Sequence, residues 1–514
     1  MNNSNKIITN TIVVYSRVAI TTIVSLLSSR WILKALGVED FGIYNLVAGL
    51  LAMLMVFNSS MAAATQRFLS YSIGASDKKK VIETFNMSFM FHLLVGVLVV
   101  LLTETIGRYF LLNVLSVPVA RTDAALFCLH CLSISTFFSV ISIPFTAMLF
   151  SYENMLYMSI IQICETILKL LAALLLLYYF GDRLKLYAIS VTGISVLAIV
   201  LFAVYCRVKY DCCRISIRIR SSLSSFFKEY LYFACWSLIG SVSTMLKNQG
   251  VAMLLNTFYG VVINAAYGIA NQIKGQLMFV STSVLTAARP QIVQSEGRGD
   301  RQRVHILSSS ACKFSFLLLS FISIPLIIEM PAVLKIWLNT VPDYTCSFSI
   351  IVIVTNLFFQ FTIGAFLPLE SVGKIKKVQL ITGVMHCSVI PIGYILLKFG
   401  FKPDFLLLFV MVEEILSFLV ILYYSSRITG MDSNVFIRKT FIPPLIVAGI
   451  STGICLFVHF FIGNMIVRII SVFITSTVCL SFLSYVFALE DYEKSKVKEI
   501  IFKTKNRFLR HENA

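Results

Sequence analysis

The chain has 514 residues, 58% of them hydrophobic and only 13% charged, with a formal net charge of +18. A soluble domain carries about 25% charged residues, so this composition excludes a soluble enzyme and describes a protein that sits in lipid. The positive charge is a poor match to nucleic acid, because no soluble domain is large enough to bind it.

The first nine residues are mostly polar, with one Lys (Lys6), and a full-length apolar run follows them. No cleavable signal peptide is expected, and the first helix is retained. An apolar run of about 20 residues crosses a bilayer as a helix, and the chain holds fourteen. The first six lie at roughly 10–29, 41–63, 84–105, 122–149, 156–180 and 186–206. The next six lie at roughly 229–256, 261–288, 308–330, 344–368, 378–397 and 405–425, and the last two at roughly 441–462 and 465–489. Pro144, Pro325 and Pro391 fall inside spans and should kink them. Most of the twelve Cys lie in apolar runs, where Cys behaves as a small hydrophobe. Neither a disulfide set nor a zinc site is expected.

Between spans 1 and 2 stands "LGVEDFGIYNLV" (Leu36–Val47). Its "DFG" would hold a metal over phosphate in a protein kinase, but the Gly-rich loop, strand lysine and HRD-type loop of that fold are missing. The segment is read instead as a turn between helices, with Glu39 and Asp40 solvated.

Loop charge tests the span count. Of the 43 Lys and Arg, 28 fall at the termini and in the even-numbered connections, 9 in the odd connections and 6 inside spans. Cytoplasmic loops concentrate the basic residues, so both termini are expected in the cytoplasm. The net charge then belongs to a basic face against anionic lipid. The expected organisation is an N-terminal lobe at 1–206, a basic linker at 207–228, a C-terminal lobe at 229–425, spans 13 and 14 at 426–489, and a basic tail at 490–514.

A shift of 223 positions aligns the chain with itself. Gly37, Val38, Tyr44, Leu54, Met55, Ser60, Ala64, Gly74, Asp77, Val81 and Phe91 are among the residues that fall on identical ones between Gly37/Gly260 and Phe91/Phe314. The Gly and Asp matches sit in turns, where residue choice has a backbone reason. The offset covers six spans, so the copies share orientation and form a parallel repeat. "YGVVINAAYGIA" (Tyr259–Ala270) is the counterpart of the opening turn.

With these features the chain resembles the Wzx-type polysaccharide flippases of the multidrug/oligosaccharidyl-lipid/polysaccharide (MOP) exporter superfamily, to which the multidrug and toxin extrusion (MATE) proteins also belong. The resemblance rests on the span pattern and on "RWILKALGVEDFGIYNLV", "SSMAAATQRFLSYSIG", "AAYGIANQI" and "VLKIWLNTVPDYT". It implies an all-α membrane protein of fourteen transmembrane helices, two six-helix lobes plus two C-terminal helices. It also implies alternating access that carries an undecaprenyl-pyrophosphate-linked oligosaccharide across a bacterial inner membrane, as in O-antigen or capsule export. The implied partners are the lipid-linked anionic oligosaccharide, membrane lipids and other polysaccharide-assembly proteins. No cofactor is expected beyond a coupling ion, H+ or Na+.

Ionisable groups at bilayer depth are functional candidates by default. Arg17 in span 1, Lys247 in span 7 and Lys274 in span 8 are the candidate diphosphate contacts. Lys169 has Glu165 one turn before it and reads as a self-neutralised pair. Lys313 and Arg468 lie near span ends, where snorkelling is expected. Polar stripes carry Asn10, Arg17, Thr21 and Ser28 in span 1, Ser237, Ser241, Thr244 and Asn248 in span 7, and Asn264, Tyr267, Asn271 and Lys274 in span 8. Such stripes face a wet cavity or another helix. Glu413 and Glu414 in span 12 are the deepest adjacent acids and the candidates for ion coupling, since neighbouring carboxylates do not easily both ionise. The basic segments Gln66–Lys80 and Arg289–Arg303 read as lipid-surface contacts.

Three other readings stay open: a MATE-type drug or cation antiporter, a flippase for the peptidoglycan lipid precursor, and a membrane polysaccharide polymerase or ligase. Many drug antiporters of the MATE type carry an acid in the first helix, where this chain offers Arg17. The six His are scattered singly and the outer loops are short, so no enzyme is expected. The sugar unit, the coupling ion, the oligomeric state and the resting orientation are not written in the sequence.

Overall fold

The computed structural model describes residues 3–113, 117–213, 223–338 and 341–495. The middle of the 207–228 linker and most of the 490–514 tail lie outside them. Among the described residues the chain is all helix, in fourteen long segments. The stretch Asn3–Gly74 breaks at Gly37 into α1 (3–36) and α2 (38–74). Then come α3 (Lys78–Asn113), α4 (Thr122–Ser151), α5 (Met155–Leu175) and α6 (Arg183–Lys209). The stretch Leu223–Gly297 breaks at Gly260 into α7 (223–259) and α8 (261–297). It is followed by α9 (Arg301–Ile328), a short helix at Met330–Leu338, α10 (Thr345–Val372), α11 (Lys376–Lys398) and α12 (Pro403–Thr429). The last two are α13 (Ser433–Phe461) and α14 (Met465–Ala488). Among the described residues, eleven segments are long and apolar enough to cross a membrane. Helices satisfy their own backbone groups, which is what lipid demands. Exposed side chains such as Leu94, Leu175, Phe457 and Phe482 suit a lipid-facing surface.

The repeat is visible in the backbone. Gly37 has φ 77° and ψ 174°, and its equivalent Gly260 has φ 79° and ψ −173°. This region of backbone space is open essentially to glycine alone, so each helix pair turns on one residue. The turns after α2 and α8 also match at the same offset. Ala75, Ser76 and Asp77 donate to the carbonyls of Tyr71, Ile73 and Ser72, as Arg298, Gly299 and Asp300 donate to those of Gln294, Glu296 and Ser295. Asp77 then caps α3 at the Lys80 N–H, and Asp300 caps α9 at the Arg303 N–H, both at 3.0 Å.

The chain packs as two compact units. One contains Met1–Leu246, Thr286–Leu307 and Leu367–His386, and the other Lys247–Leu285, Ser308–Phe366 and Cys387–Ala514. In the first unit, Ile43, Val47, Ala125, Leu129 and Tyr187 form one core cluster and Phe85, Phe145, Met148 and Met155 another. In the second unit the core holds Leu255, Ala266, Phe348, Val389 and Leu406.

Three expectations are corrected. Asp40 is not simply solvated: Arg121 donates to both its oxygens at 2.8 and 2.6 Å and also binds Asp182. The basic segment after span 2 is not a surface loop at its start, because α2 continues to Gly74 and buries Arg67 to 6% exposure. Lys313 and Arg468 do not snorkel. Lys313 is buried against Glu493 at 2.8 Å, and Arg468 meets the fully buried Glu329 at 3.0 Å, where His459 also bonds. Each basic group has a carboxylate within bonding distance, so its charge is answered where it stands.

Candidate functional site

The candidate cations have different partners. In α1, Arg17 is half-buried and its Nη1 donates to the Gln162 Oε1 of α5 at 2.5 Å. Gln162 is neutral, so this bond orients the guanidinium, and among the described residues no acid is paired with it. One turn on, Thr21 bonds back to the Arg17 carbonyl at 2.9 Å, and Ser28 to that of Val24 at 2.8 Å. Both hydroxyls are satisfied within their own helix. Asn10 is buried and donates to the Glu153 carbonyl at 3.2 Å, so it ties α1 to the α4–α5 turn. The same local geometry places Lys169 against Glu165 at 2.7 Å, as their spacing predicts.

In the second unit, Lys247 of α7 is buried and joins both acids of α12. Its Nζ lies 2.9 Å from Glu413 Oε2 and 3.3 Å from Glu414 Oε2. Ser417, one turn after Glu413, donates to Glu413 Oε1 at 2.9 Å, and Thr362 of α10 donates to Glu414 Oε1 at 2.9 Å. Every carboxylate oxygen therefore has a donor, as burial requires. Adjacent residues on a helix diverge by about 100°, and the ammonium fills the space between the two carboxylates. Lys274 of α8 is half-buried and feels both Lys247 and Glu414 electrostatically. Two lysines and two glutamates thus form one charge-balanced group. Among the described residues, no cluster of His, Cys, Asp and Glu is arranged to hold a metal.

The structure brings together the sequence candidates Lys247, Glu413 and Glu414, with Lys274 beside them. The remaining polar candidates are dispersed. Asn264 is half-buried, and Asn271 is half-buried beside the Tyr267 hydroxyl. Ser237 and Ser241 belong to the first unit, where Ser241 donates to the Ser237 carbonyl and accepts from Ser60 at 3.0 Å. Asn248 is exposed. The sequence reading missed Thr362 and Ser417, the donors that complete the carboxylates, although Ser417 stands at i+4 from Glu413.

Comparison with known proteins follows the same lines. The MatE family model matches residues 16–175. An uncharacterized membrane protein, EpsK of Bacillus subtilis (strain 168), is 22% identical over 496 residues, 95% of this chain and 96% of its own. Among solved structures, a MATE protein in the bent conformation has a TM-score of 0.73 at 15% identity, covering 84% of this chain and 96% of that one. An outward-facing multidrug resistance MATE transporter of the MOP superfamily scores 0.71 at 14% identity, with coverage of 84% and 96%. A MOP superfamily transporter from Pyrococcus furiosus, described as having a binding pocket of reverse polarity, scores 0.71 at 13% identity with the same coverage. The fold is therefore that of the solved MATE proteins, an all-α membrane fold, and the MatE family model matches its residues 16–175.

Proposed function

We propose that the protein is a flippase for undecaprenyl-pyrophosphate-linked oligosaccharide units, carrying them from the cytoplasmic to the outer leaflet of a bacterial inner membrane. The observation that carries this reading is Arg17, a cation within an apolar helix whose bonded partner is the neutral Gln162. A charge at bilayer depth costs about 2.5–3.5 kcal/mol on insertion scales, and a diphosphate bound there would offset that cost. Arginine meets phosphate as a bidentate fork, and lysine as a point charge. Lys247 and Lys274 form a second, separate contact group. Lys247 must leave Glu413 and Glu414 to bind an anion, and protonation of those acids is the proposed role of the coupling ion. Thr21, Ser237, Ser241, Asn248, Asn264 and Asn271 are proposed to meet the polar cargo, whereas Asn10 is committed to the Glu153 carbonyl.

A MATE-type cation exporter is the second reading, favoured by the family match alone. The Pyrococcus neighbour, described as having a reversed pocket polarity, supports the view that charge in this fold follows the cargo. Deleting the gene should stop surface polysaccharide while lipid-linked single units accumulate inside. Units still reaching the outer leaflet, with no redundant flippase present, would refute the reading, and a change in drug sensitivity instead would favour the exporter. Lethality with arrest of wall synthesis would point to the peptidoglycan precursor. Single-cysteine labelling checks orientation: position 39 should react from outside, and position 215 should not.

A further inference from the structure

The last two helices, α13 and α14, are fixed to α9 at two separated points. Lys313 of α9 is 2% exposed and donates at 2.8 Å to Glu493, which follows α14. Glu329, at the far end of α9, bonds to the Nδ1 of His459 in α13 at 2.7 Å and accepts from Arg468 of α14 at 3.0 Å. At 1.5 Å per residue the two joints stand roughly 24 Å apart along the helix. Their signs are crossed, with the cation on the α9 side at one joint and the acid on that side at the other. A shifted docking of the hairpin would strand buried charges, so these joints give it one seat on α9.

The start of α13 carries an irregularity that its sequence explains. Pro443 and Pro444 have no N–H to offer the carbonyls of Lys439 and Thr440. Ahead of them the helix widens into a π turn over Ile437–Phe441, where the Ile442 N–H bonds to the Ile437 carbonyl. Such turns recur at functional sites. Residues five apart diverge by about 140° on a regular helix, and the widened turn narrows that angle. Phe436 and Phe441 therefore both reach Phe418 of α12, with ring centroids at 6.3 and 5.2 Å, and Phe441 is stacked on it. Phe441 also meets Phe361 of α10 at 4.7 Å, and Phe361 meets Phe316 of α9 at 4.7 Å. Phe316, Phe361, Phe418 and Phe436 are all buried.

Two of these rings are chain neighbours of the hydroxyls that complete the charged group. Phe361 precedes Thr362, which donates to Glu414, and Phe418 follows Ser417, which donates to Glu413, both at 2.9 Å. Consecutive residues of a helix diverge by about 100°, so α10 and α12 each turn a ring towards Phe441 and a hydroxyl towards an acid. We propose that the α13–α14 hairpin buttresses the group of Lys247, Glu413 and Glu414, and that Phe441 is the positioning residue through which it acts. Seated against both rings, Phe441 keeps α10 and α12 at the spacing that holds Thr362 and Ser417 within bonding distance of the carboxylates. Hydrogen bonds weaken steeply away from their preferred geometry, so a small movement of either helix is felt at the acids. The proposal rests on the ion-coupling reading of Glu413 and Glu414.

The probe is dicyclohexylcarbodiimide, which modifies carboxyl groups inside membranes, with the labelled peptides identified by mass spectrometry. In Phe441→Ala, Glu413 and Glu414 should be modified about tenfold faster than in the unaltered protein, as expected for loss of one hydrogen bond to a charged group. Phe441→Leu should give a smaller rise, and Phe441→Tyr, which keeps the ring, should restore the original rate. Thr362→Val with Ser417→Ala should raise the rate by itself. Adding Phe441→Leu to that pair should raise it no further, because both changes remove the same bonds. Phe482→Ala, at an exposed ring of α14, is the control and should change nothing. If Phe441→Ala does not fold, the leucine variants decide. Unchanged modification in folded Phe441→Leu, or its full effect added on top of the hydroxyl variants, overturns the proposal. If modification rises while the dependence of transport on the coupling ion stays as it was, the buttress stands and the ion-coupling reading fails.

Discussion

The first helices of the two repeats each carry one cation off the lipid-exposed surface, half-buried in α1 and buried in α7, and the two have opposite kinds of partner. Arg17 of α1 has a neutral amide partner at 2.5 Å. Lys247 of α7 has two carboxylates, at 2.9 and 3.3 Å. The positions are not repeat equivalents, since Arg17 falls on Gly240 at the 223-residue offset. The repeat therefore preserves the turns while each copy has its own charge chemistry. Turn geometry is set by the backbone, but side chains around a site are free to diverge. Under the proposed function, Arg17 would hold a standing affinity for anions and Lys247 one that depends on the state of two acids.

The largest effect that tests this contrast is on stability. Lys247→Met leaves Glu413 and Glu414 buried without their ammonium, and breaking a buried pair from one side costs about 3–5 kcal/mol. The folded fraction in detergent, read by size-exclusion profile and thermal midpoint, should collapse. Adding Glu413→Gln should restore folding, because Glu414 is then left to face Lys274 and the charges balance again. If Lys247→Met folds normally, the acids are neutral without it and the contrast with Arg17 weakens.

Arg17→Gln should behave in the opposite way. Gln162 can bond to another amide, so folded protein should be retained while transport falls. A charge-assisted contact is worth roughly 1.5–3 kcal/mol, which corresponds to about a ten- to hundredfold loss in cargo binding. Arg17→Lys should lose less, because it keeps the charge without the fork. The measurement is transport per folded molecule. Normal transport in Arg17→Gln would make Arg17 a packing residue and remove the principal support for an anionic cargo.

Local patterns in the sequence made much of this fold legible. Apolar runs gave the helices, Gly37 and Gly260 marked the breaks, and the four-residue spacing of Glu165 and Lys169 gave their pair. The long-range partners were not legible. Lys247 lies 166 positions from Glu413, and no periodicity connects them. Arg67 stands before the basic run Lys78–Lys80 and reads as part of a surface loop, yet α2 carries it into contact with carbonyls more than 300 positions away. Snorkelling failed for Lys313 and Arg468 for the same reason, since the rule sees the distance to the interface but not the acid that tertiary packing supplies.

A smaller effect is expected at Lys169, whose charge is answered within its own helix. The side chains of Lys169 and Glu165 are 33% and 24% exposed, and a pair one helical turn apart contributes about 0.2–0.5 kcal/mol. Lys169→Gln should lower membrane levels modestly and leave transport per molecule unchanged. A transport defect at normal levels would add Lys169 to the cargo contacts and end its distinction from Arg17.

The smallest effect belongs to Asp182, at the opposite end of α6 from the linker. Its carboxyl faces Arg121, which also holds Asp40, and Lys185, which in turn pairs with Asp123. Burial alone would raise its pKa, but the Arg121 bond, the Lys185 N–H and the two positive charges outweigh it and hold the carboxyl below its usual range. A depressed carboxylate adds stability that is complete above the unfolded pKa of about 3.9 and is lost as pH falls through the lower folded value. Because the pair is only partly buried, the contribution at neutral pH is expected to be below about 1 kcal/mol. Asp182→Asn is the appropriate variant, since asparagine can still cap α6 at the Lys185 N–H, as Asp182 does at 3.3 Å, while removing the charge. Thermal midpoints should differ slightly between wild type and variant at pH 7 and converge only in acid, below the ordinary carboxylate range. A difference that persists unchanged into that range would trace the effect to the cap and not to the charge.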